Sequence, residues 1–245
     1  MIINIEITQE DKKAVFDIIS KEEKGKFVLD RKKIIDNPQI SKENFWHSLM
    51  IGVFTSQQKS GPDSPVNKLL SINPFPLSIK KLEGKQNIKE NDIENILDDY
   101  KGLRFTNRIS GFIVNNLKTI STEWTNLEIK IESVLNSDKN RKKNERDLCR
   151  FLQENFIGIG PKQSRNIIQA SGIAKYEIPI DSRFVKWIHA NIKFPIPISS
   201  NTLSDENYYS FILDVIQLLS EECNILPAVL DACIFASFDN GRWDT

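Results

Sequence analysis

The chain has 245 residues, 40% hydrophobic and 27% charged, with 33 Lys and Arg balanced by 33 Asp and Glu. That length buries a core as one large domain or two intimate lobes, and the proportions are ordinary for a soluble globular protein. No apolar run approaches a membrane span, and Cys149, Cys223 and Cys233, with only His47 and His189 besides, make neither a zinc spacing nor a four-cysteine cluster. The opening MIINIEITQEDKKAVF has no basic start or long apolar stretch, so a cytoplasmic protein with reduced thiols is expected, without metal or membrane contact.

Residues 8–22 begin with a capping Thr and carry Ala14, Val15, Ile18 and Ile19 on one stripe, which predicts a helix. Residues 41–56 start at Ser41 and are apolar enough to be a central buried helix. Further helices are predicted at 91–99, 106–120, 125–136, 145–155, 161–171, 182–191, 204–222 and 226–238. Residues 1–7 and 26–35 are open to extended structure, and no alternating strand of useful length is seen, so the fold is expected to be all-α. Gly61-Pro62, Pro74-Phe75-Pro76 and Pro195-Ile196-Pro197 mark loops. The stretch Lys139–Arg150, KNRKKNERDLCR, is basic and reads either as a solvated face or as an electrostatic footprint for nucleic acid.

The most informative segment is residues 156–188. Gly158 and Gly160 permit left-handed backbone and close approach of a ligand, and Pro161 suits a first helical position. Open amides at such a helix start form an anion site indifferent to base sequence. An ordinary helix connection explains a lone G-x-G as well. Lys162 alters that balance, because the positive end of a helix disfavours the charged ammonium and leaves a nucleophilic amine. Asp181, after Ile178-Pro179-Ile180, suits a helix N-cap; a capping carboxylate stays negative and fixed in direction.

Together, Phe156-Ile157-Gly158-Ile159-Gly160-Pro161-Lys162 and Ile178-Pro179-Ile180-Asp181-Ser182-Arg183 resemble the helix-hairpin-helix DNA glycosylase superfamily, most closely the Ogg2 type of 8-oxoguanine glycosylase/lyase. Phe54-Thr55-Ser56-Gln57-Gln58 and Arg104-Phe105-Thr106-Asn107-Arg108 extend the similarity upstream. The resemblance implies two helical lobes flanking a DNA-binding cleft. Residues 60–172 would form one lobe, ending in the hairpin motif at about 145–171; residues 1–59 and 173–245 would form the other. It implies Lys162 and Asp181 as catalytic residues, Gly158, Gly160, Pro161, Gln163, Ser164 and Arg165 as the DNA-binding set, and damaged double-stranded DNA as the partner of a monomer. No cofactor is required, though the hairpin carbonyls are a candidate seat for a monovalent cation.

By the same resemblance, Lys162 attacks the deoxyribose of a flipped nucleotide, displaces the base and leaves an imine open to β-elimination. Asp181 steadies the developing positive charge. Gln57 or Gln58 fills the vacated space or lines the pocket, although two solvated glutamines explain them equally. Phe238 and Trp243 are candidates to stack on the extruded base, with core packing and a plain tail residue as the alternatives. The ending Asn240–Thr245 matches no base-reading ending of the Ogg2 type. Excision of another modified base, or a non-catalytic hairpin clamp, therefore stay beside 8-oxoguanine excision.

Overall fold

The structure, a computed structural model, describes residues 5–85, 87–194 and 196–238. Among them it holds twelve α-helices, one 3₁₀ turn and no strand, as the all-α reading expects. No helix in them is long and apolar enough to cross a membrane.

The chain divides into two compact units, one from Gln39 to Ser171 and one from the two ends, Met1–Pro38 with Gly172–Thr245. The expected lobes placed 39–59 with the termini. Those residues pack instead with the hairpin unit, because α3 (Lys42–Phe54) is buried almost all round and lies against the helix that follows the hairpin.

In the hairpin unit, Ser41 caps α3 by accepting from the Asn44 amide at 3.1 Å. Trp46, fully buried, donates its indole N–H to Leu77 O at 2.7 Å. Three short helices follow: α4 (Pro65–Leu70), α5 (Ile79–Glu83) and α6 (Glu90–Asp98). The two helices expected at 106–120 and 125–136 are one, α7 (Thr106–Leu135). Residues 121–124, Ser-Thr-Glu-Trp, contain no Gly or Pro to stop the helix. Ser121 and Thr122 satisfy their hydroxyls on the carbonyls four residues back, and Trp124 packs on Phe45 at 6.2 Å. Next come α8 (Arg141–Asn155) and α9 (Pro161–Ala170). The basic stretch before the hairpin is only partly a surface feature. Arg141 is buried, bonded to Glu145 at 2.8 Å and to Val134 O at 2.8 Å, where it ties the end of α7 to α8. Lys139, Lys143 and Arg150 face solvent.

In the unit built from the chain ends, α1 (Gln9–Glu22) opens on a capping box between Thr8 and Asp11. Residues 26–35, for which extended structure was one expectation, are helical as α2 (Lys26–Asp36). Burial decides this: Val28 and Ile35, seven residues apart, share one helical face, and Phe27 stacks on Phe235 at 4.7 Å. The core is closed by α10 (Ser182–Asn191), α11 (Glu206–Glu222) and α12 (Pro227–Ser237), with Phe184, Tyr209, Leu213 and Leu230 at its centre. Cys149, Cys223 and Cys233 are buried thiols outside any disulfide. Burial pushes the Cys233 thiol up to about 12.

Candidate active site

The hairpin is fixed from behind by α7. After α8 ends, Ile157 projects to solvent while its main chain is gripped by the fully buried Asn116. The Asn116 Nδ2 donates to Ile157 O at 3.0 Å, and Ile157 N donates to Asn116 Oδ1 at 2.8 Å. Gly158 follows at φ +83°, and a Cβ there would lie 2.5 Å from the Phe112 ring. Both conformation and space demand glycine. Gly160 differs. Its φ of −102° and ψ of −171° are extended, and a Cβ would meet its nearest neighbour at 3.7 Å. The expectation of left-handed backbone therefore holds at Gly158 alone; what Gly160 leaves open is room for an approaching group.

Pro161 occupies the first turn of α9, where its missing N–H costs nothing. The first amide to turn back into the helix is that of Ser164, bonded to Gly160 O at 2.9 Å. Among the described residues, the amides of Lys162 and Gln163 make no hydrogen bond, and no side chain pairs with Lys162 Nζ. A half-exposed amine and two open amides thus share the positive end of a ten-residue helix.

Ser164 and Arg165 correct the sequence expectation. Both belong to the DNA-binding set that the resemblance implies, and both are fully buried. The Ser164 hydroxyl donates to Pro161 O at 2.9 Å and accepts from Gln153 at 3.3 Å, while Arg165 donates to Pro161 O at 3.1 Å. Helical periodicity explains it: positions 164, 165, 167 and 168 form the face packed on α3 and α8, leaving 162, 163 and 166 outward. These side chains brace the hairpin from within.

In the other unit Asp181 is the N-cap of α10. Its Oδ1 accepts from the amides of Arg183 at 2.8 Å and Phe184 at 2.9 Å. Among the described residues the second oxygen, Oδ2, has only Arg183 Nη1 at 4.0 Å. One oxygen is taken by the cap, which aims the carboxylate, and the other is not. The Arg183 guanidinium rests 3.9 Å from the Phe235 ring centroid.

Gln57 and Gln58 lie in the hairpin unit beside the start of α7. Gln57 is exposed at φ +58° and accepts from Arg108 at 3.4 Å; Gln58 Oε1 accepts from the Arg104 amide at 3.0 Å, while its Nε2 is buried without a partner among the described residues. Between the arginines sits a residue to which the sequence alone assigns no role. Phe105 has φ +63°, is 39% exposed, and has the Arg104 and Arg108 guanidiniums 4.9 and 4.6 Å from its ring centroid. An aromatic held left-handed and half in water is rare, and such strain gathers at working sites. Only the Arg-Phe-x-x-Arg spacing hints at it. Phe238, at the end of α12, is exposed at 42% rather than packed in the core; Trp243 lies outside the described residues.

No family model matches the sequence, and no curated protein matches it. Solved structures do. The 8-oxoguanine DNA glycosylase of Methanocaldococcus jannaschii is 18% identical with a TM-score of 0.63, over 96% of this chain and 98% of that one. The 8-oxoguanine glycosylase/lyase of the same organism, in complex with a 15mer DNA containing 8-oxoguanine, is 19% identical at TM-score 0.63, covering 92% and 95%. The 8-oxoguanine DNA glycosylase of Thermotoga maritima is 16% identical at TM-score 0.63, covering 94% and 96%. At these identities the likeness is one of fold, and it runs nearly end to end in both chains.

Proposed function

We propose that this chain is a DNA repair glycosylase with associated AP lyase activity, excising an oxidised purine, 8-oxoguanine foremost, through an imine on Lys162. The observation that carries the reading is the placement of Lys162: an unpaired, half-exposed amine next to open amides, directly after a turn whose Gly158 admits no side chain. A phosphate clamp needs the amides and the turn. It does not need the amine at that position, nor a carboxylate like Asp181 with one oxygen held and one free. The fold shared with three solved 8-oxoguanine glycosylase structures supports the same assignment.

On this reading the hairpin amides take a DNA phosphate while the target nucleotide leaves the stack. The nitrogen lone pair of Lys162 attacks C1′, and the glycosidic bond breaks with its electron pair going to the base, which is protonated as it departs. The nitrogen loses a proton, and its lone pair then opens the ring C1′–O4′ bond, whose electron pair goes to O4′ and takes up a proton, giving the protonated imine. Loss of a 2′ proton then expels the 3′ phosphate by β-elimination. Asp181 Oδ2 stabilises positive charge developing on the sugar. Phe105, Arg104, Arg108 and Gln57 offer the duplex a stacking face, two cations and an amide. Phe238 and Trp243 are the proposed stacking partners of the extruded base. Residues 156–163 contain no carboxylate, so a monovalent cation at the hairpin would be held by main-chain carbonyl oxygens, donors that suit it.

Duplexes each carrying one lesion, followed for base release and strand cleavage with borohydride trapping of the imine, test the proposal. Release and trapping on an 8-oxoguanine duplex are expected. Lys162→Gln is expected to abolish both while duplex binding persists, and normal excision by that variant overturns the nucleophile. Binding without nicking or trapping on any lesion supports the non-catalytic clamp.

A further inference from the structure

We propose that Tyr209 is the positioning residue for Asp181, acting through the main chain in front of it; this rests on the role given to Asp181 above. The three residues Ile178-Pro179-Ile180 are buried and belong to no helix. Pro179 has no N–H, so the polar groups of the segment fall to its neighbours, which the core keeps from water. One atom meets two of them. The Tyr209 hydroxyl, fully buried on α11, donates to Ile178 O at 3.1 Å and accepts from Ile180 N at 2.5 Å. A single phenol thus spans the proline and holds the chain extended up to the residue before Asp181.

The consequence falls on the carboxylate. Asp181 continues in extended backbone, φ −91° and ψ 179°, and turns Oδ1 onto the first amides of α10. Its cap fixes the carboxylate relative to α10. Tyr209 fixes the peptide on the other side, so together they leave the free Oδ2 one direction. Tyr208, the neighbouring phenol, serves a different loop by donating to Pro197 O at 2.6 Å, which makes it a control.

Removing the hydroxyl leaves an amide and a carbonyl buried without partners, and the segment shifts to relieve them. A displacement of an ångström or less at a reacting group costs up to about a hundredfold in rate. Tyr209→Phe, Asp181→Asn and the double variant are compared by single-turnover base release from an 8-oxoguanine duplex with enzyme in excess, alongside duplex affinity. Tyr209→Phe is expected to lower the rate constant about tenfold to a hundredfold at unchanged affinity, and Tyr208→Phe to leave it alone. In the Asp181→Asn background the same change is expected to cost at most about twofold, since partners acting through one group are non-additive.

Equal losses in both backgrounds, or a wild-type rate constant for Tyr209→Phe beside an impaired Asp181→Asn, overturn the proposal and leave the site reading intact. A wild-type rate for Asp181→Asn overturns the site reading itself, and the proposal with it. If Tyr209→Phe does not fold, Pro179→Gly loosens the same segment with the phenol present; non-additivity with Asp181→Asn supports the proposal and additivity refutes it.

Discussion

Gly158→Ala and Gly160→Ala separate two glycines that look alike in the sequence. At Gly158 an alanine meets two penalties. Its φ of +83° is left-handed, costing about 1–2 kcal/mol for an L-residue. Its Cβ would also lie 2.5 and 2.6 Å from the partly buried Phe112 ring, which would have to shift. Overpacking of that kind costs about 1–3 kcal/mol. The sum, about 2–5 kcal/mol, lowers the melting temperature of a chain this size by roughly 4–20 °C. At Gly160 the backbone is extended and the nearest neighbour of a Cβ is Gln163 Oε1 at 3.7 Å, an ordinary contact. Gly160→Ala is therefore expected to melt within about 0.5 kcal/mol of wild type. If the turn seats a phosphate, the new methyl stands in the approach path and duplex affinity falls. Thermal unfolding by circular dichroism and titration with a labelled duplex at fixed salt measure both quantities. A Gly158→Ala protein that melts with wild type, or a Gly160→Ala protein as unstable as its partner, refutes the reasoning.

Three further outcomes follow from the same geometry. Asn116→Ala leaves an amide and a carbonyl of Ile157 unpaired, each worth about 1–3 kcal/mol, so amide hydrogen exchange at Ile157 is expected to quicken and borohydride trapping to weaken; unchanged protection at Ile157 counts against the clamp. Cys233 is a buried thiol held protonated to about 12, whereas in the unfolded chain it ionises near 9. The folded state then keeps a proton that the unfolded state releases, so stability falls as pH rises between those values. Cys233→Val is expected to melt with a shallower decline from about pH 9 to about pH 10.5, and parallel curves would remove the thiol from the account. Replacing Arg104 and Arg108 by Gln is expected to reduce the steepness of the fall in duplex affinity with salt, by about 0.9 for each phosphate that is no longer neutralised; an unchanged slope places neither guanidinium on the DNA backbone.

The helices are legible because their caps and stripes are local. Ser41, Thr8 and Asp181 each stand one residue before a helix and bond as their residue types dictate. What escapes a reading of the sequence is decided by distant partners. Residues 26–35 are helical because Phe235 and the rest of α12 supply a face for them, and α7 is continuous because nothing in Ser121–Trp124 breaks it. Lys162 and Gly158 stand out through chemistry carried in their own residue types. Ser164 and Arg165 mislead because hairpin membership does not say which side of α9 is buried. Asn116 and Tyr209 give no signal at all, since a polar residue inside an apolar stripe acquires meaning only from the main chain it meets, 41 and 31 residues away.

The long helix α7 acts as a ruler. Arg108, Phe112 and Asn116 fall at intervals of four on one face. Arg108 lies 5.8 Å from the Phe112 ring, Phe112 sits under Gly158, and Asn116 grips Ile157. The stretch from Arg108 to Asn116 spans about 12 Å of helix axis, which sets the separation between the arginine–phenylalanine cluster and the hairpin. Inserting one residue between Arg108 and Phe112 would turn the cluster about 100° around the rod and move it about 1.5 Å along it, leaving every local contact at the hairpin in place. On the proposed function, the contacts of the cluster and of the hairpin with a duplex, whose phosphates repeat at fixed intervals, would then fall out of phase with each other.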